Sequence, residues 1–250
     1  MKIFKFLLLL IFISIAIRVS AQQITSGIVT YKIDTEATFK RLDSLLKEKP
    51  QQAALFHSMY DPLKMVAEDA LLELKFKGNE SQFAMKAYLA TKEEERGAKK
   101  FKSIYEAGGF YTDISKNVRV QKLTGFDKNL KIESIPWELT NETKKIGKYT
   151  TYKGIYHKLF DDGKKRQIIA WYTPEINAPF GPKEYSGLPG LVLEVDDITG
   201  TYMVNEIILN PTEEIQITKP DESIMITREE YNKLGREFMA KIRMRSANKN

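Results

Sequence analysis

Residues 149–173 constrain the chain more than any other stretch. Tyr149 to Phe160 is a long aromatic and β-branched run, Asp161-Asp162-Gly163 follows it, and Arg166 to Thr173 returns. Asp-Gly supplies the positive φ that a tight hairpin turn needs. On the returning strand Ile169 and Trp171 fall on one face and Ile168 and Ala170 on the other, because strand side chains alternate. A chain with this segment is built around an antiparallel sheet.

Other segments supply more of it. Ile24 to Asp34 reads as a first strand. Leu72, Leu74 and Phe76 alternate with charged residues, Gly78-Asn79-Glu80-Ser81 turns, and Gln82 to Leu89 returns. Phe110–Ile114 and Val118–Leu123 form another hairpin, Leu130–Ile135 and Trp137–Thr140 are short strands, and Leu191–Val195 pairs with Thr201–Leu209 across Asp196-Asp197 and Gly200. Ile215 to Thr218 is expected as a last strand. The charged run 92–102 is expected as a solvated loop. Helical spacing appears at Phe39, Leu42, Leu45 and Leu46, and again through Ala54, Leu55, Met59, Leu63 and Val66, with Pro62 expected to break or kink the second segment. These residues make a helical insertion over about 38–69. Thr227-Arg228-Glu229-Glu230 fits a capping box and opens a C-terminal helix over about 227–244, with Tyr231, Leu234, Phe238, Met239 and Ile242 as its apolar stripe. The expectation is a β-rich α+β protein of about ten antiparallel strands and three helices, its sheet curved or a partial barrel.

The first 21 residues are expected to be a cleavable signal peptide. Lys2 and Lys5 precede an apolar run from Phe6 to Ile17, and Val19-Ser20-Ala21 offers small residues at the cleavage positions. That run is too short to span a bilayer, and no other apolar run reaches about 18 residues. Residues 22–250 are then one β-rich domain. The formal charge of +6 hints at nucleic acid. Lys2, Lys5 and Arg18 leave with the signal, however, and no acid does, so the mature chain carries +3. Residues 233–250 hold six basic residues and Glu237, so the body before them carries −2. A nucleic-acid face needs basic residues spread across the fold, which argues against that partner. The basic residues suit the C-terminal end of a helix dipole, with contact to anionic envelope lipid or glycan as the alternative. The chain has no cysteine. Lipoprotein anchoring, disulfides, thiol catalysis and cysteine–metal sites are excluded.

No catalytic constellation is legible. His57 and His157 stand in no zinc-binding spacing. Ser186 lacks the G-x-S-x-G elbow of a serine nucleophile, and no phosphate-cradling glycine loop occurs. Asp161/Asp162 and Asp196/Asp197 sit at turns, where aspartate is common for backbone reasons. No catalytic residue, metal ligand or cofactor is therefore expected. Tyr149, Tyr152, Tyr156, Trp171, Tyr172, Phe180 and Tyr185 cluster in sequence, and suit either sheet-face packing or an aromatic groove for an apolar ligand.

Residues 170–195 read AWYTPEINAPFGPKEYSGLPGLVLEV. Gly187-Leu188-Pro189-Gly190-Leu191-Val192, with Trp171, Pro174, Ile176 and Gly181-Pro182 upstream, resembles the GLPGLI family of secreted Bacteroidota proteins, with Val in place of the final Ile. The resemblance implies a cell-envelope β-protein of uncharacterised activity, more distantly similar to lipoprotein carriers whose curved sheet is closed by helices. Glycine and proline make this loop ordered, either a rigid corner before strand 191–195 or a binding lip beside Trp171. The candidate binding residues are Trp171, Pro174, Gly181, Pro182, Gly187, Leu188, Pro189 and Gly190. The expected role is non-enzymatic, binding or chaperoning an apolar or extended ligand. The alternatives are a module that docks on an outer-membrane protein complex, and a hydrolase that uses two facing carboxylates.

Overall fold

A computed structural model describes residues 24–160 and 163–247. The expected signal peptide and the Asp161-Asp162 part of the expected turn lie outside the described residues. Twelve strands form one curved, open sheet: β1 (Ser26–Asp34), β2 (Leu72–Lys77), β3 (Glu80–Met85), β4 (Phe110–Asp113), β5 (Val118–Lys122), β6 (Asn129–Lys131), β7 (Glu138–Ile146), β8 (Tyr149–Leu159), β9 (Lys165–Thr173), β10 (Leu191–Asp197), β11 (Gly200–Leu209) and β12 (Met225–Ile226). Their order across the sheet is β12-β6-β5-β4-β3-β2-β1-β11-β10-β9-β8-β7. Helices α1 (Glu36–Glu48) and α2 (Ala53–Ala67) follow β1, α3 (Glu95–Phe101) follows β3, and α4 (Arg228–Ala247) ends the described chain. The β-rich α+β expectation is met, with the insertion after the first strand and the helix at the C-terminus.

The sheet buries one face. Val29, Tyr31 and Ile33 of β1, Leu72, Leu74 and Phe76 of β2, and Ile168 and Ala170 of β9 point into a common core. Alternating strand positions put them there and leave Lys75, Ile169 and Trp171 on the opposite side. Aromatic rings bind this core together. Tyr31 and Tyr202 meet Phe83 edge-on, and Tyr202 meets Tyr105, which tilts against Phe101. Helix α2 closes one end by burying Leu63, Val66 and Ala67.

Four expectations are corrected. Pro62 lies inside α2 and does not break it, because Leu63, Val66 and Ala67 are held on the far side by the core. Residues 92–102 are not a solvated loop. They contain α3, which continues through a wide π turn at Lys102–Glu106. Phe101 is fully buried, and Gly97 brings α3 so close to α2 that a Cβ there would stand 1.8 Å from the Pro62 carbonyl oxygen. One aromatic and one glycine outweigh the charged residues around them. Residues 215–218 form no strand; β12 lies further on and pairs with β6 in parallel, so the sheet is not wholly antiparallel. Asp221 starts the turn that leads into β12 by accepting the Ser223 amide, and Asn129 Nδ2 donates to the Asp221 carbonyl. Finally, β7 runs well beyond Thr140, pairing with β8 from Glu138 to Ile146.

Candidate functional site

The segment between β9 and β10, residues 174–190, fills the hollow of the curved sheet. It has almost no regular structure, so its backbone groups must find partners locally. They do so through tight bonds: the amides of Ala178, Phe180, Ser186 and Gly190 donate to the carbonyls of Ile176, Ala178, Glu184 and Leu188, at 2.7–2.8 Å. Longer bonds tie the ends, from Gly187 N to Pro179 O and from Val192 N to Phe180 O. Ile176, Ala178, Phe180, Tyr185 and Leu188 are all buried. Phe180 packs on Phe76, and the Leu188 side chain sits against Gly154 of β8.

Glycine is required at the close of the segment. Gly190 has φ of +146°, and a Cβ there would stand 2.1 Å from the Thr173 carbonyl oxygen. Gly181 is comparably confined by the Tyr185 carbonyl and the Val192 side chain.

Ser186 joins the two arms of the sheet. Arg119 Nε, from β5, donates to Ser186 Oγ at 3.1 Å. Trp137 Nε1, just before β7, donates to the Ser186 carbonyl at 3.0 Å. β5 and β7 lie toward opposite ends of the strand order, so the segment ties across the open side of the sheet. Trp137 also meets the rings of Tyr156 and Tyr185.

A second anchor is ionic. Lys183 Nζ lies 3.2 Å from Asp197 Oδ2, with the two side chains only 7% and 6% exposed. The Tyr185 hydroxyl donates to the same oxygen at 2.8 Å, and the Thr199 amide donates to Oδ1. Burial pushes the Asp197 carboxyl up, but Lys183, the Tyr185 hydroxyl and the Thr199 amide together outweigh it and hold the group below the usual carboxylate range. Burial, reinforced by the negative charges of Glu184 and Asp197, raises the Tyr185 hydroxyl far above its ordinary value.

The structure divides the residues singled out from the sequence. Gly181, Pro182, Leu188 and Gly190 are buried within the plug; Pro174, Gly187 and Pro189 are exposed at its surface. Trp171 is not beside them. It points to the other face of the sheet, where Lys144 Nζ stands 4.5 Å from its ring centroid and pairs with Glu194 at 2.7 Å. Its neighbour Tyr172 faces the core instead. Trp137 and Arg119, absent from the candidate set, are among the residues that meet the loop, as is Lys158, which pairs with Glu184 at 2.7 Å. Trp137 stands just before β7, where the sequence offers only a short, ambiguous strand signal, and Arg119 resembles any strand cation until the fold turns it inward.

Outside this region, an open cleft of about 710 Å³ lies where β1 runs into α1. Its lining is a mosaic of charge, with Lys32, Lys40 and Lys64 among Asp34, Glu36, Asp43 and Glu68. Asp34 accepts the Glu36 amide, Glu36 pairs with Lys40, and Asp43 pairs with Lys64. Hydrogen bonding to Lys40, with its charge, lowers the Glu36 carboxyl, the opposite of what a proton-donating acid needs. Both histidines pair with surface carboxylates, His57 with Asp61 and His157 with Glu138.

Helix α4 is the least anchored element. Its capping box forms as read: the Thr227 amide donates to Glu230 Oε2 at 2.8 Å, and the Glu230 amide donates to Thr227 Oγ1 at 3.3 Å. Phe126 meets Tyr231 and Phe238 edge-on, yet Phe238 is 53% and Met239 50% exposed.

Comparison with known proteins locates the motif segment. A family model described as a protein of unknown function (Porph_ging) matches residues 160–194, the stretch from the end of β8 into β10. The GLPGLI name itself is not among the matches. No curated protein matches the chain. Two crystal forms of PNGF-II are similar in backbone shape, at 13% and 12% identity and TM-scores of 0.45 and 0.44. They cover 84% and 82% of this chain, which spans about a third of the length of those structures. No helix among the described residues is long and apolar enough to cross a membrane.

Proposed function

We propose that the chain is an exported, non-enzymatic docking module of the cell envelope, attached to an outer-membrane protein through the apolar stripe of α4. One observation carries this reading. The hollow of the sheet, where a carrier would hold an apolar ligand, is occupied by the chain's own residues 174–190, whereas Phe238 and Met239 stand in solvent on α4. Exposed apolar side chains gathered on one surface are the usual mark of an interaction site. The carrier reading requires the plug to leave its place, against Arg119, Trp137 and the Lys183–Asp197 pair. The hydrolase reading requires two facing acids, and in the β1–α1 cleft Glu36 and Asp43 are engaged with lysines and Asp34 with a backbone amide.

The test is fractionation of cells that express the full chain, beside the double variant Phe238→Asp/Met239→Asp. The native chain is expected to sediment with the outer membrane and to cross-link to one protein there. The variant is expected to stay soluble with an unchanged melting temperature. Equal sedimentation of both would overturn the docking role of α4.

A further inference from the structure

Among the described residues, buried charges come with an opposite charge, with one exception. Lys183 has Asp197 at 3.2 Å, Glu106 has Lys102 at 3.8 Å, and Asp113 has Lys116 at 3.8 Å. Arg119 is only 7% exposed, and its partners are neutral: Ser186 Oγ for Nε at 3.1 Å and Asn117 Oδ1 for Nη1 at 2.7 Å. No carboxylate among the described residues lies within 4 Å of it. A guanidinium carries five N–H donors and keeps its charge at any physiological pH. Burial alone pulls its pKa down, and no neighbouring acid pushes it back. Burying a cation against neutral groups is unfavourable, and proteins normally supply a counter-charge.

The unused part of the guanidinium has an opening. Every buried side-chain nitrogen and oxygen among the described residues has a hydrogen-bond partner. Nη2 of Arg119 has none, so it reaches solvent. It does so beside Gly187, an exposed residue of the motif with φ of +95°. Nη2 is the nearest heavy atom to the place a Cβ on Gly187 would take, at 3.6 Å. Any side chain there would crowd the opening.

We propose that Arg119 and Gly187 form an oxyanion site, in which the Nη1–Nη2 edge of Arg119 takes a planar carboxylate or a phosphate oxygen pair from a ligand lying over Gly187. Bidentate pairing of that kind is what the planar guanidinium fork recognises best. Ser186 and Asn117 hold the fork in plane, and the ligand supplies the missing counter-charge. A peptide carboxylate and a lipid phosphate share this chemistry. The proposal does not depend on the docking role of α4.

The experiment is an NMR titration of the purified full chain with sodium acetate and, separately, sodium phosphate. Sodium chloride at equal ionic strength is the reference. The expected result is saturable movement of the Arg119 Nε–Hε and Gly187 amide resonances with at least one oxyanion. Tighter saturation by acetate identifies a carboxylate as the ligand group; tighter saturation by phosphate identifies a phosphate. Arg119→Gln keeps one donor nitrogen, near the Nε position that meets Ser186, and lacks the charge and both terminal nitrogens, and is expected to bind about tenfold more weakly or worse. Shifts that stay linear, or that match chloride, overturn the proposal on the native chain alone, whether or not the variant folds. Equal saturation of native protein and folded Arg119→Gln overturns it as well.

Discussion

The plug at 174–190 and helix α4 reverse the usual association of regular structure with burial. The plug is irregular, rich in glycine and proline, and lies in the core. Helix α4 is twenty regular residues with apolar side chains in solvent. A helix satisfies its own backbone and needs only water along its sides, so it can stand away from the body. An irregular segment cannot be buried unless every amide and carbonyl finds a partner. The short bonds among Ile176, Ala178, Phe180, Glu184, Ser186, Leu188 and Gly190 meet part of that demand, and Phe180 and Tyr185 enter the hollow. Packing therefore holds the plug, and local hydrogen bonding holds α4.

Mutations at the two regions should separate accordingly. Gly190→Ala is expected to cost most, about 4 kcal/mol, because strain at positive φ adds to a backbone clash with Thr173. Urea denaturation checks this, and a loss below about 1 kcal/mol would mean the plug is less rigid than its geometry implies. Leu188→Ala follows at about 3 kcal/mol, for the cavity left against Gly154. Asp197→Asn is expected to cost about the same, since it leaves Lys183 buried without its counter-charge.

The Asp197 substitution also has a pH signature. Its carboxyl is held below the ordinary range in the folded state, so the unfolded chain binds a proton first as pH falls. The stability that it contributes is complete above about pH 4 and is lost as pH drops through the lowered folded value. Asp197→Asn should flatten that limb of the stability–pH curve. An unchanged acid limb would assign the acid sensitivity to other carboxylates.

At the other extreme, Phe238→Ala should change global stability by no more than about 0.5 kcal/mol, as at other exposed positions. Thr227→Ala removes one half of the capping box and should speed hydrogen exchange in the first turn of α4 while the core amides stay protected. Faster core exchange or cooperative loss of the whole fold in either variant would erase the contrast between the two regions.

Much of this architecture can be read along the chain. The hairpins β2–β3, β4–β5, β8–β9 and β10–β11 follow from alternation and turn residues, and the capping box of Thr227 and Glu230 forms where its spacing places it. Trp171 shows where such reading stops. Alternation alone puts Trp171 opposite Ala170 and Tyr172, but which face meets the plug depends on the curvature of the whole sheet. Arg119 is harder still, since its inward aim and its contact with Ser186, 67 residues away in sequence, emerge only when β5 and the plug come together. Helix α3 is hidden by its charge, and β12 by its two-residue length and parallel pairing.

By itself, then, the sequence determined most of the extended segments, the helical insertion after β1 and the C-terminal helix, where the hairpins turn, and that residues 174–190 form an ordered break between two strands. Those properties come from φ preferences, side-chain alternation and hydrogen bonds within a few residues of each other. Only the tertiary structure decided that the break fills the sheet's hollow, that Trp137 rather than Trp171 meets it, and that Nη2 of the buried Arg119 comes to lie beside Gly187. Burial and charge pairing depend on residues far apart in the chain, and no local pattern encodes them.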